Sequence, residues 1–83
     1  MDYPIKRRTL TINGVRTSVS LEEPFWLRLN EIARDRGLSV GQLVQDIDLH
    51  RRHTNLSAAI RQLVAEECHR RLVALQMEMR GEA

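Results

Sequence analysis

The chain reads as a mainly helical α+β domain, a short N-terminal β-hairpin followed by three helices. Three observations predict this. Residues of alternating character flank Asn13-Gly14, a pattern of period two. An apolar stripe of helical period begins at Phe25 and stops before Gly37. A second helical pattern follows Ser39, and a third, much longer one closes the chain from about Asn55.

Asn-Gly is the strongest short hairpin signal, because both residues tolerate the positive φ of a type I′ turn. A two-residue loop there pairs Ile12 with Val15, Leu10 with Thr17 and Arg8 with Val19 on one face, which is mostly apolar. The other face holds Thr9 and Thr11 with Arg16 and Ser18, and is wholly polar. The strand Arg16-Thr17-Ser18-Val19-Ser20-Leu21 carries the functional signal. Its Arg16, Ser18 and Ser20 share one side, while Thr17, Val19 and Leu21 share the side that can be buried. A guanidinium and two hydroxyls can hydrogen-bond to base edges and phosphates, and a two-stranded ribbon fits the DNA major groove. One strand cannot make a ribbon, so this reading calls for a partner chain.

The first helix is expected from about Glu22 to Arg36. Glu22 and Glu23 suit a helix N-terminus by charge, and Pro24 is tolerated in a first turn whose N–H groups lack partners. Phe25, Leu29, Ile32 and Ala33 form its apolar stripe, and Gly37 stops it. Ser39 caps the second helix, with Gln42 completing a capping box and Leu43, Val44 and Ile47 on the buried side. The third helix runs from near Asn55 or Ser57 to about Met79. Its stripe of Ile60, Val64, Cys68, Leu72, Leu75 and Met79 is more apolar length than so small a chain can cover alone.

Eighty-three residues make one small domain, of a size that gains from oligomerisation. The segments are a basic N-terminal arm at 1–7, a core at 8–54 and a C-terminal helix at 55–83. At 42% hydrophobic residues the composition is globular. Net charge is only +2, yet the first twenty residues hold Lys6, Arg7, Arg8 and Arg16 against the single acid Asp2. Local basic density is what an anionic partner meets within a Debye length. The single Cys68 excludes an internal disulfide and fits a reducing compartment. With no span of about 20 apolar residues and no apolar N-terminal core, the expectation is a cytoplasmic protein away from the membrane.

With these residues in place, the chain resembles the ribbon-helix-helix family of DNA-binding proteins, of the MetJ and Arc type. The resemblance covers Arg16 to about Asp48 and rests on the strand Arg16–Leu21, the helix ending Ile32-Ala33-Arg34-Asp35-Arg36, the Gly37-Leu38-Ser39 turn and the second helix. The Pro24-Phe25-Trp26 entry and the third helix look similar to a bacterial subgroup of that family. The resemblance implies an intertwined homodimer whose paired strands enter the major groove of double-stranded DNA. Arg16, Ser18 and Ser20 would read bases. Backbone N–H groups at Ser39, Val40 and Gly41 would hold a phosphate, as helix N-termini do. Lys6, Arg7 and Arg8 would add salt-sensitive phosphate contacts. The chain departs from the simplest members in its Asn13-Gly14 hairpin and its third helix.

Other readings compete residue by residue. Ser20 could simply cap the first helix. Trp26 reads as partly buried core and Cys68 as a buried, inert thiol. His50, His53 and the Cys68-His69 pair have metal-ligand chemistry, but no CxxC or acidic cluster completes a site, so no metal is expected. No nucleophile-base constellation and no Gly-rich phosphate loop is present; an enzyme and a cofactor are not expected. The reading is therefore a homodimeric DNA-binding repressor or autoregulator. The alternative is an antitoxin or adaptor that captures a protein through its C-terminal helix.

Overall fold

In a computed structural model, which describes residues 4–52 and 54–81, two antiparallel strands precede three helices. The elements are β1 (Ile5–Ile12), β2 (Val15–Glu22), α1 (Glu23–Asp35), α2 (Val40–His50) and α3 (Leu56–Met79).

Asn13 and Gly14 adopt φ of 53° and 77°, the positive pair that a type I′ turn requires. That turn sets the register, Ile12 opposite Val15 through Ile5 opposite Glu22. Pairing thus extends back to Ile5. Lys6 and Arg7 are strand residues, not part of a free arm, because β2 is long enough to keep bonding them. Asp2, within the expected arm, and His53 lie outside the described residues.

The hairpin corrects one expectation. The second strand of the ribbon comes from the same chain, so β2 needs no partner chain to be paired. Its apolar side needs none either, since Val19 and Leu21 are buried against the chain's own helices.

Helix α1 begins at the Glu22 N-cap with Pro24 in its first turn, and no side chain caps it; Ser20 is not its cap. Its end is a Schellman motif. The Leu38 amide donates to the Ala33 carbonyl at 2.8 Å and the Gly37 amide to Arg34 at 3.0 Å, with Gly37 at φ 71°. Helix α2 starts on the full capping box, Ser39 Oγ accepting from the Gln42 amide at 3.1 Å and Gln42 Oε1 from the Ser39 amide at 2.9 Å. Asn55 caps α3 by accepting from the Ala58 amide at 2.8 Å.

One core joins all five elements. Ile12, Val19 and Leu21 meet Leu29, Ile32 and Ala33 of α1, Leu43, Val44 and Ile47 of α2, and Ile60 and Val64 of α3. Beyond Val64 the expected burial of α3 ends. Cys68 is exposed, its sulfur accepting from Arg28 Nε at 3.4 Å, and Leu72, Leu75 and Met79 are 52%, 53% and 80% exposed. The last ties of α3 to the core are ionic, Glu67 to Arg36 at 2.6 Å and Arg71 to Asp35. At ~1.5 Å per residue α3 is about 36 Å long, and its final two turns project past the domain. Among the described residues no helix is long and apolar enough to cross a membrane.

Candidate nucleic-acid interface

The register sorts the hairpin's side chains into two faces. Directly opposed residues of antiparallel strands point the same way. Thr11 with Arg16, Thr9 with Ser18 and Arg7 with Ser20 therefore form one face of three cross-strand pairs, and all six residues are exposed. The face carries two guanidiniums, four hydroxyls and no carboxylate. It spans about 13 Å along the strands at ~3.3 Å per residue.

The opposite face packs on the helices and takes Arg8, one of the expected phosphate contacts, with it. Arg8 lies in the same row as Leu10 and Ile12. Its guanidinium pairs with Glu23, sits 4.6 Å over the Trp26 ring and is largely covered. Arg8 Nε is sealed from solvent with no acceptor. Lys6 follows the same parity and comes within 3.9 Å of Glu23. Of the three basic residues at the N-terminus only Arg7 joins Arg16, Ser18 and Ser20. Strand parity carries this information in the sequence, and it also sets the Thr9 and Thr11 hydroxyls on the same polar face.

The N-terminus of α2 lies beside the tip of the ribbon. A Cβ built on Gly41 would fall 3.2 Å from the Thr11 carbonyl oxygen, and the Asn13 amide reaches Gln45 Oε1 at 3.4 Å. Ser39, at the exposed cap, and the half-buried Val40 and Gly41 thus stand near the Thr11-Arg16 end of the polar face. The unpaired first-turn N–H groups and the positive end of the helix dipole favour an anion there.

At Ser20 the far edge of β2 is closed by α3. The Ser20 amide donates to Ser57 Oγ at 3.2 Å, and Arg61 donates from Nη2 to the Ser20 carbonyl at 3.1 Å and from Nε to Glu22 at 2.9 Å. Arg61 also lies 5.9 Å from the Phe25 ring centre. The Glu22 carboxyl is held below its ordinary range, first by a backbone hydrogen bond and next by Arg61. Neither Ser57 nor Arg61 stands out in the sequence as part of the ribbon.

His50 Nδ1 lies 2.8 Å from the Asp46 carbonyl, and among the described residues no three His, Cys, Asp or Glu side chains gather as a metal site.

A family model described as a ribbon-helix-helix domain matches residues 5–68, from the first residue of β1 into α3. A solved structure, an uncharacterized protein from Bordetella pertussis Tohama I, is similar over 94% of this chain at 32% identity with a TM-score of 0.64. The chain spans 62% of that protein's length. No curated protein matches the chain.

Proposed function

Because the chain belongs to the ribbon-helix-helix domain family, we propose that it is a sequence-specific binder of double-stranded DNA. In this reading it is a transcriptional repressor or autoregulator whose β1-β2 ribbon enters the major groove. The observation that carries it is the cross-strand face of Arg7, Thr9, Thr11, Arg16, Ser18 and Ser20, exposed, basic and free of carboxylates. Arg16 offers a bidentate fork to guanine O6 and N7, and Ser18 and Ser20 offer smaller hydroxyl contacts. Arg7 and the backbone N–H groups of Val40 and Gly41 hold phosphates on either side of the groove, while the Ser39 N–H is committed to Gln42 Oε1. Lys6 supplies a longer-range, salt-sensitive attraction; Arg8 serves the fold. A homodimer would present two such ribbons, as suits a two-fold operator.

Selection of bound sites from a random duplex pool, followed by gel shifts across salt concentrations, tests this. A recovered consensus whose affinity exceeds that of random duplex by ~10³-fold or more supports it. Uniform weak binding at low salt with no consensus would reject sequence-specific reading. The antitoxin or adaptor alternative would place the work on the free end of α3, and the two roles can coexist.

A further inference from the structure

The two rows of the ribbon's polar face differ in chemistry. Arg16, Ser18 and Ser20 of β2 offer a guanidinium and bare hydroxyls. Both hydroxyl residues of the β1 row, Thr9 and Thr11, also carry a methyl group, and both are exposed. Two apolar groups therefore stand on a face made otherwise of guanidiniums and hydroxyls. Threonine is β-branched and stiff at χ1, so a fixed strand backbone also narrows where its methyl can lie.

Thr11 is held in place by α2. Its carbonyl oxygen faces Gly41, where an added Cβ would fall 3.2 Å away, and the nearby Asn13 amide donates to Gln45 Oε1 at 3.4 Å. The same end of α2 presents the N–H groups that suit a phosphate. The position of Thr11 relative to a DNA backbone seated there is thus set by the fold. Thr9 follows two residues away, about 6.6 Å along the strand, close to the roughly 6.8 Å rise of two base pairs.

In the major groove thymine alone among the bases displays a methyl group, and threonine methyls pack against it. Cytosine offers an amino donor instead, and the purines offer polar atoms. On the reading of the ribbon as a DNA-binding face, we infer that Thr9 and Thr11 recognise the methyl groups of two thymines separated by one base pair. A ribbon lying along the groove turns one row toward each DNA strand, so both thymines belong to the strand that β1 faces. Thr11 lies directly opposite Arg16. The short threonine meets the pair beneath it, and the longer arginine takes a guanine one step away.

The test uses the full chain and the duplex recovered by selection, with each thymine replaced in turn by deoxyuridine. That change removes the methyl and keeps the O4 acceptor and the pairing. Anisotropy titrations should show a loss of about fourfold at two positions separated by one pair, the worth of one buried methyl group. The other thymines should tolerate the change. Thr11→Ser keeps the hydroxyl and should bind the thymine and uracil duplexes equally at one of the two positions; Thr9→Ser should do so at the other. Thr11→Val loses the hydroxyl, keeps the methyl and should retain the discrimination. Thermal melts establish that the variants fold. A selected duplex without such a thymine pair, a wild type indifferent to every uracil, or serine variants that keep the methyl dependence would each overturn the assignment. If a consensus is recovered, those results leave sequence-specific DNA binding standing; recovery of no consensus removes both.

Discussion

Arg61 and Ser20 are joined across the molecule, the guanidinium donating to the Ser20 carbonyl at 3.1 Å while the neighbouring Ser57 hydroxyl takes the Ser20 amide. In a two-stranded hairpin the residues whose amides point away from the partner strand lie on the open edge, and in β2 these include Arg16, Ser18 and Ser20. Helix α3 closes that edge at Ser20, at the end nearer α1. The third helix is therefore part of the ribbon's support, beyond its role in the core.

This contact gives a pH-dependent prediction. Glu22, the other partner of Arg61, has its carboxyl pKa lowered on folding. A lowered folded pKa stabilises the fold above the ordinary carboxylate value, and that stability is lost as pH falls through the lowered one. Arg61→Ala should raise the Glu22 midpoint only part way, because the backbone hydrogen bond is the larger cause. A carboxyl titration followed by NMR reads it directly. No movement would show that Arg61 does not hold Glu22.

The two neighbouring arginines of β1 should behave as opposites. Arg8→Ala removes the Glu23 pair and the Trp26 stack and should cost about 1–2 kcal/mol of stability, with DNA affinity of the folded protein nearly unchanged. Arg7→Ala should leave the melt within about 0.5 kcal/mol and flatten the salt dependence of DNA binding by about one phosphate. Thermal melts and salt-titrated gel shifts on both variants check the pair. Reversal of the two results would invert the assignment of faces.

Much of this was legible in the sequence because short-range chemistry decides it. Asn13-Gly14 set the turn, and the turn set the register. Gly37 and the Ser39-Gln42 box set the helix ends within a residue or two. The core residues of α1 and α2 followed from periodicity. What failed is long-range. Lys6-Arg7-Arg8 reads as one basic run, but a strand sends alternate residues to opposite faces, and Arg8 found Glu23 and Trp26 there. The expectation that Arg16–Leu21 needs another chain missed that β1 and the helices already pair and cover it. Cys68 shares a stripe with buried Ile60 and Val64, yet it lies where α3 leaves the core, a place that periodicity alone does not reveal.

Ser39→Ala removes one half of the capping box and should cost about 1 kcal/mol, a fall of roughly 4–8 °C in Tm for a domain of this size. The backbone N–H groups that would hold phosphate are retained, so DNA affinity at a temperature well below Tm should change little. A large loss of affinity with no change in Tm would mean that the hydroxyl itself contacts DNA.

Ile60 is fully buried where α3 crosses the core, so Ile60→Ala should cost about 2–5 kcal/mol. Denaturant titration measures it. A cost under about 1 kcal/mol would mean that α3 is not anchored as described.

The central claim is that the Arg7-Thr9-Thr11 and Arg16-Ser18-Ser20 face meets DNA bases. The most direct measurement is the change in backbone amide NMR shifts on titrating in a selected duplex, for the wild type and Arg16→Ala. The account predicts the largest changes at Arg7–Thr11, Arg16–Ser20 and Ser39–Gly41, with little change at Leu72–Met79. For Arg16→Ala it predicts an unperturbed free spectrum beyond the hairpin and a loss of about 1–3 kcal/mol of preference for the selected sequence. Shifts confined to α3, or an Arg16→Ala variant that keeps full sequence preference, would contradict it.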